Sequence, residues 1–98
     1  MIYAVLFTDD RANAAVRELH MPAHLAFLER NGDRIRAAGP LRDARDSSAA
    51  GGLWLVEAES LEVIETLYRE APFWSAGLRR AVRVTEWAQV FADGRRLF

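Results

Sequence analysis

The chain has no cysteine and no lysine, and its 98 residues include only three prolines and two histidines. Without cysteine it can form no disulfide, no thiolate nucleophile and no zinc–thiolate site. Without lysine it has no Schiff-base or lysine general-base chemistry. Acid–base chemistry near neutral pH therefore points first to the two histidines, because histidine is the side chain that titrates there without perturbation.

An excess of positive charge and a long apolar run are also missing. Thirteen arginines against fourteen acidic residues give a net charge of -1. This balance argues against a nucleic-acid partner, because neutralising phosphates requires a basic excess on one face. The start at Met1–Val5 has no basic segment and leads into no span of membrane length. We therefore expect no secretory signal, no membrane partner and a cytoplasmic location.

Hydrophobic patterning predicts one domain over residues 1–98 with the element order β-α-β-β-α-β. The predicted strands are Ile2–Thr8, Arg34–Leu41, Leu53–Ala58 and Ala81–Trp87. The polar, small-residue tract between the second and third strands predicts a hairpin connection.

The predicted helices lie between strands one and two and between strands three and four. The first is expected as two segments, Arg11–His20 and Pro22–Arg30, because proline disfavours helical geometry in the residue before it. Ser60 is expected to cap a helix that runs to Glu70.

This order predicts an α+β, ferredoxin-like fold with an antiparallel four-stranded sheet and both helices on one face. The opposite face would be uncovered, and Trp54, Trp87 and Phe91 are expected to give it a large apolar patch. A monomer rarely tolerates such a patch, so we expect a homodimer in which two sheets stack.

His24 is the main candidate for chemistry, as a general acid or base, although a buried histidine bonded to backbone would fit the same pattern. Asp9 could orient His24 or bind substrate, and a helix cap is the plainer interpretation of Asp9 and Asp10. Arg17 could clamp an anion or could be a solvated helix cation. Each of these alternatives stays open at the level of sequence.

Other features are expected to shape the site or its surroundings. Gly39-Pro40 predicts an interruption or bulge in the second strand. Phe73 and Trp74 are core or interface aromatics that could also wall an apolar pocket. The remaining arginines near the C-terminus are expected to form a solvated face: Arg79, Arg80, Arg83, Arg95 and Arg96.

A metal or cofactor is not expected. His20 and His24 have the i, i+4 spacing of a metal-binding pair, but Pro22 lies between them and no third ligand is evident.

Several short motifs follow one another in a characteristic order along the chain. They are Tyr3, Asp9, Arg17, P-A-H-L at Pro22–Leu25, A-G-P at Ala38–Pro40, E-S-L-E at Glu59–Glu62, P-F-x-x-A-G-L at Pro72–Leu78 and V-x-V-x-x-W-x-x-V-F at Val82–Phe91. In this order and spacing they resemble the YCII-related (YciI-like) family over roughly the whole length. The resemblance implies a ferredoxin-like fold assembled as a dimeric α/β barrel. It also implies a pocket with a histidine–aspartate acid–base pair, and relatives that act as dehydrochlorinases or other lyases on small ring compounds.

One departure from the family pattern leads to two hypotheses about function. Members usually have aspartate before the Pro-Phe or Pro-Tyr pair, where this chain has Ala71. The first hypothesis is an enzyme of lyase, dehydrochlorinase or isomerase type that acts on a small organic acid or ring compound. The second is a non-catalytic dimer with a small-ligand or structural role. The enzyme hypothesis uses His24 and Asp9 for catalysis and the following residues to contact substrate: Arg17, Tyr3, Gly39, Pro40 and Phe73.

Overall fold

The computed structural model describes residues 1–98 and contains one antiparallel sheet of four strands in the order β2-β3-β1-β4. A short two-stranded hairpin follows it at the C-terminus. The elements are β1 (Ile2–Asp9), a 3-10 turn (Arg11–Asn13), α1 (Val16–Arg30), β2 (Ile35–Arg42), β3 (Ala49–Glu57), α2 (Leu61–Glu70), α3 (Pro72–Ser75), β4 (Arg79–Glu86), β5 (Phe91–Ala92) and β6 (Arg95–Arg96). The predicted α+β fold with a four-stranded antiparallel sheet is confirmed.

The core lies between the sheet and the helices, on one face of the sheet only. Alternate residues of β1, namely Tyr3, Val5 and Phe7, are buried beneath α1 and α2. The helices contribute Phe27, Ile64, Leu67 and Tyr68 to the same cluster. Trp54 also belongs to it, with 2% of its surface exposed, so the prediction that Trp54 lies on the open face was wrong.

Helix α1 is continuous, which corrects the prediction of two segments divided at Pro22. Asp10 caps only the 3-10 turn, where its Oδ1 accepts the Ala12 N–H at 3.0 Å. Pro22 then lies within α1, on its exposed side. A proline there lacks one N–H donor, but an exposed carbonyl one turn earlier can bond to water instead. Burial of His24 and Phe27 on the other side of the helix favours continuity.

Strand β2 also continues through Gly39 and Pro40, which pair with Leu53 and Gly52 of β3. Pro40 is tolerated because β2 is an edge strand, so a missing N–H need not break the sheet. The irregularities lie on either side of this pair, between Ile35 and Ala37 and between Pro40 and Arg42. Strand β3 begins at Ala49, earlier than the predicted Leu53, because Ala49 still pairs with Arg42.

The connection from α2 to β4 contains one further turn of helix, where the sequence predicts only a tight loop. Pro72 opens this α3 turn at the position where proline is preorganised for helix. Gly77 ends the segment with φ +81°, a conformation that favours glycine. Phe73 is thereby fixed in the interior, with 1% of its surface exposed.

The outer face of the sheet is open to solvent and partly apolar. Leu6 pairs with Leu53 and Ala4 with Leu55 across this face. A shallow groove of about 240 Å³ lies beside them, bordered by Ala37–Leu41, Leu53 and Leu55. Trp87 and Phe91 remain exposed, at 42% and 57%. No helix of the fold combines the length and apolar character needed to cross a membrane.

Gly51 allows β3 to pass close to β1, and this gives the first testable prediction. Gly51 has φ +92°, and a Cβ atom there would lie 1.9 Å from the Phe7 carbonyl oxygen. We expect Gly51→Ala to lower the free energy of unfolding by about 2–3 kcal/mol, measured by urea denaturation. Gly39→Ala is the control, because a Cβ at Gly39 meets no atom within 4 Å. Equal, small effects of the two substitutions would contradict this account of Gly51.

Candidate active site

His24 projects from α1 into the interior, where its ring lies against Phe73. The two ring centroids are 4.0 Å apart and their planes differ by 19°, so the rings stack. Only 7% of His24 is exposed, and its Nδ1 atom is enclosed without a hydrogen-bond partner. The plainer expectation, a buried histidine bonded to backbone, therefore does not describe Nδ1. The other ring nitrogen, Nε2, is the one that a ligand beside His24 can reach.

Arg79 lies next to His24 and was not predicted, since the sequence places it on a solvated face. Its side chain is 4% exposed, and its guanidinium carbon lies 4.4 Å from the Phe7 ring centre and 5.2 Å from that of Phe73. The cause is a bulge: Thr8 pairs with Ala81 but Asp9 pairs with Arg79, which makes Arg80 an extra residue in β4. A bulge reverses the alternation of side chains, so Arg79 faces inward. A regular strand would have turned it outward, which is why the pattern was misleading.

Asp9, at the end of β1, holds two arginines at once. Its Oδ1 accepts a hydrogen bond from Arg79 Nη1 at 2.7 Å, and its Oδ2 accepts one from Arg17 Nη2. Both oxygens are thus engaged, and Asp9 does not bond to Nδ1 of His24. The expectation that Asp9 directly orients His24 is therefore corrected: it fixes the arginines beside that ring. Asp9 is not the helix cap either, since Asp10 fills that role.

These side chains meet at a small pocket of about 100 Å³ between α1 and β2. It is walled by His24, Arg17, Arg79, Trp54, Met21, Leu25, Leu28 and Ala38–Pro40. The sequence-predicted residues Arg17, His24, Gly39 and Pro40 are thus brought together, with Phe73 behind the histidine. We refer to this space as the inner pocket.

Tyr3 is not part of the inner pocket, although the sequence places it in the substrate-binding set. It lies six residues before Asp9 on β1, which separates the two by about 20 Å in an extended strand. Tyr3 is instead a core residue with 7% of its surface exposed.

A second, larger pocket of about 350 Å³ lies on the other side of Arg17. It is bordered by Asp9–Arg11, Ala14, Arg17, Ser48, Ala49 and Leu78. Arg17 borders both spaces, so its side chain, which is 28% exposed, separates this outer pocket from the inner pocket.

The surroundings of His24 favour its neutral form. Burial is the largest cause and the nearby charges of Arg79 and Arg17 add to it, so that the pKa of His24 falls to about 4. The imidazole is therefore neutral near pH 7 and can accept a proton or a hydrogen bond. Burial also lowers the pKa of Arg79, against the opposing effect of Asp9, but a guanidinium stays protonated at neutral pH.

This shift predicts how stability depends on pH. His24 has a pKa of about 4 in the folded chain and about 6.5 in the unfolded chain, so the unfolded chain binds the proton more readily between those values. Stability is therefore lost as the pH falls from about 6.5 to 4, by on the order of 2 kcal/mol after allowance for solvent screening. Urea denaturation at a series of pH values measures this.

The control variants for this prediction are His24→Gln, which should lose this part of the pH dependence, and His20→Gln, which should keep it. An unchanged dependence in His24→Gln would assign the effect to other groups.

The two histidines share one face of α1, because the helix is continuous. They do not form part of a larger ligand set: no group of three or more His, Asp or Glu side chains is placed to hold a metal ion. Asp9, which pairs with the two arginines of the inner pocket, has both carboxylate oxygens engaged by them.

No curated protein matches the sequence, whereas a family model and solved structures do. Residues 1–88 match the family model of the YCII-related domain. The fold is similar to the structure of a 5-chloro-2-hydroxyhydroquinone dehydrochlorinase from Burkholderia phenoliruptrix AC1100, in complex with 2,5-dihydroxybenzoquinone. That similarity has a TM-score of 0.77 at 31% identity and covers 89% of this chain and 93% of the other. The chain belongs to the YCII-related domain family.

Proposed function

We propose that this protein is an enzyme of lyase or isomerase type that uses His24 as a general base and acid on a small, oxygenated ring compound. The observation that carries the proposal is the placement of a neutral, buried histidine beside two fixed arginines in one pocket. The similarity to a dehydrochlorinase that binds a dihydroxybenzoquinone supports the substrate class. It also favours elimination of hydrogen chloride among the possible reactions.

The proposed chemistry follows from the charges in the inner pocket. Nε2 of His24 takes a proton from a ring hydroxyl or an acidic ring carbon, and the electron pair left behind forms a new double bond. In an elimination, chloride leaves with the electrons of its own bond, so one proton and one chloride are lost together. In an isomerisation, His24 returns the proton to another atom. Arg17 and Arg79 stabilise the negative charge that develops on the ring oxygens.

Each side chain has a distinct role in this proposal. Phe73 fixes the plane of the imidazole by stacking, and Asp9 fixes the two guanidinium groups. Gly39 and Pro40 form the wall opposite α1 and contribute no charge.

A homodimer is part of the proposal. Leu6, Leu53 and Leu55 leave an apolar strip on the outer face of the sheet, and Trp87 is also exposed. Stacking two such faces would bury this strip and give the dimeric barrel that the family resemblance implies.

Chloride release is the direct test of the enzyme. Purified protein is incubated with 5-chloro-2-hydroxyhydroquinone and, separately, with the same ring lacking chlorine, under exclusion of oxygen. We expect chloride to appear with the first compound at a rate proportional to the protein concentration, and a quinone product to appear with it. Release no faster than in buffer, across a panel of chlorinated hydroxyarenes, would contradict the elimination reaction.

A non-catalytic ligand-binding protein is the second candidate, and one observation favours it. Nε2 acts as a base only while Nδ1 carries the proton, and Nδ1 has no acceptor to hold that proton. Ala71, which stands where the family usually has aspartate, is buried and offers no carboxylate. Loss of an orienting carboxylate costs about 10⁴-fold in a serine-protease triad. Tight binding of hydroxyquinones without turnover would select this candidate.

A further inference from the structure

We propose that Arg79 and Arg17, held by Asp9, form an anion receptor in the inner pocket, so that the site selects ligands that carry an ionised oxygen. This inference names the substrate class for the site of the proposed function and rests on that site. Arg79 is its central residue.

The positive and negative charges around the inner pocket do not balance. Two guanidinium groups share the single carboxylate of Asp9, which leaves one formal positive charge in excess. No acidic side chain borders the inner pocket. Arg79 is buried and shares its one carboxylate partner with Arg17, so a bound anion would supply the second negative charge.

The geometry of Arg79 also favours binding of an anion. Its side chain makes one hydrogen bond, from Nη1 to Asp9, so further N–H donors of the planar group remain for a ligand. The two aromatic contacts, with Phe7 and Phe73, hold the group in place. Gly52 of β3 leaves space for the guanidinium, since a Cβ there would lie 2.9 Å from Nη1. A preorganised guanidinium suits a planar oxyanion and loses little freedom on binding it.

Anion binding should in turn change His24. The charged groups that face its ring are Arg17 on its own helix and Arg79 on β4, with Asp9 on β1 behind them and His20 one turn earlier on α1. The elements β2, β3 and α3 contribute only uncharged residues: Ala38, Gly39, Pro40, Trp54 and Phe73. An anion between the arginines opposes their effect on the ring and raises the pKa of His24 from its low value. Binding of the ligand would therefore make His24 a stronger base.

The test compares two ligands of the same shape, benzoate and benzamide, by isothermal titration calorimetry on the wild-type protein. We expect benzoate to bind about 10–100-fold more tightly, the range given by a hydrogen bond to a charged group. At pH 5.5 in unbuffered salt solution, followed with a pH electrode, benzoate should bind with uptake of a fraction of a proton and benzamide with none. Equal affinities of the two ligands would overturn the receptor.

Three variants assign the preference to Arg79. Arg79→Met should remove the preference for benzoate, whereas Arg80→Met, the neighbouring exposed arginine, should keep it. Gly52→Ala keeps the charge but displaces the guanidinium, and should reduce the preference several-fold. If Arg79→Met does not fold, as judged by circular dichroism, the role of Arg79 is decided by comparing the preference for benzoate over benzamide in Gly52→Ala and in wild type. A full preference in a folded Arg79→Met variant, or in Gly52→Ala, would overturn the role of Arg79.

These outcomes are separate from those of the proposed enzyme. Preference for benzoate without chloride release supports the receptor and contradicts the reaction. Chloride release without a preference for benzoate does the reverse.

Discussion

Replacement of Asp9 by alanine is expected to lower the free energy of unfolding by about 3–5 kcal/mol, a large share of the stability of a small domain. The substitution leaves two guanidinium groups without their common carboxylate. Arg79 is the costly one, because its side chain is 4% exposed and cannot turn to water without disturbing Phe7 and Phe73. Urea denaturation at pH 7 measures the loss.

Asp10→Ala is the matched control, because it removes the same charge at the next position. Asp10 only caps the short 3-10 turn, so its replacement should cost about 1 kcal/mol. Combining Asp9→Ala with Arg79→Met should recover part of the loss, since removing both members of a buried pair is less costly than removing one. Similar losses for Asp9→Ala and Asp10→Ala would mean that Arg79 finds another partner.

Replacement of His24 by glutamine is expected to lower kcat by about 10²–10⁴-fold for whichever substrate the wild-type protein turns over. Glutamine keeps the size and a polar end but cannot take up a proton. KM should change much less, because the arginines that bind the anion are retained. Initial rates of wild type and variant at saturating substrate measure the effect.

Two further measurements separate a chemical role of His24 from a structural one. The wild-type kcat should fall as His24 becomes protonated in the bound complex, and the residual rate of His24→Gln should lack this pH dependence. His20→Gln, one turn earlier on α1, should leave kcat unchanged. A rate for His24→Gln within a factor of two of wild type would contradict the general-base role.

The elements that could be predicted are those in which the hydrophobic pattern of the sequence matches the burial seen in the structure. Strand β1 is a nearly continuous run of apolar residues, as expected for a buried strand, and α2 places Ile64, Leu67 and Tyr68 at helical spacing toward the sheet. Periodicity is informative for α2 because one face of that helix is buried, and the unbroken apolar run is informative for β1 because it lies in the middle of the sheet. The pocket residues Arg17, His24, Gly39 and Pro40 lie instead on α1 and β2, and they were predicted from short motifs and the family resemblance rather than from periodicity.

The errors arose where a tertiary contact overrides a local rule. Pro22 was expected to divide α1, but burial of neighbouring residues on the opposite side of the helix maintains it. Arg79 was expected in solvent, because nothing local in the sequence announces the bulge at Arg80 that turns it inward. Trp54 was expected on the open face, yet the register of β3 against β1 places it in the core. A register depends on the partner strand, which a single strand's sequence does not contain.

The proline within α1 has a consequence for how a ligand enters. Arg17 lies before Pro22 on α1 and His24 lies after it, so the two residues border the inner pocket from different halves of the helix. Because Pro22 has no N–H, one backbone hydrogen bond between these halves is missing. The earlier half is also more exposed, and the ion pair with Asp9 ties it to the sheet. Opening of that half alone would join the inner and outer pockets while His24 stays stacked on Phe73. We expect this opening to cost less free energy than opening of the later half, because both buried residues of α1, His24 and Phe27, lie after Pro22.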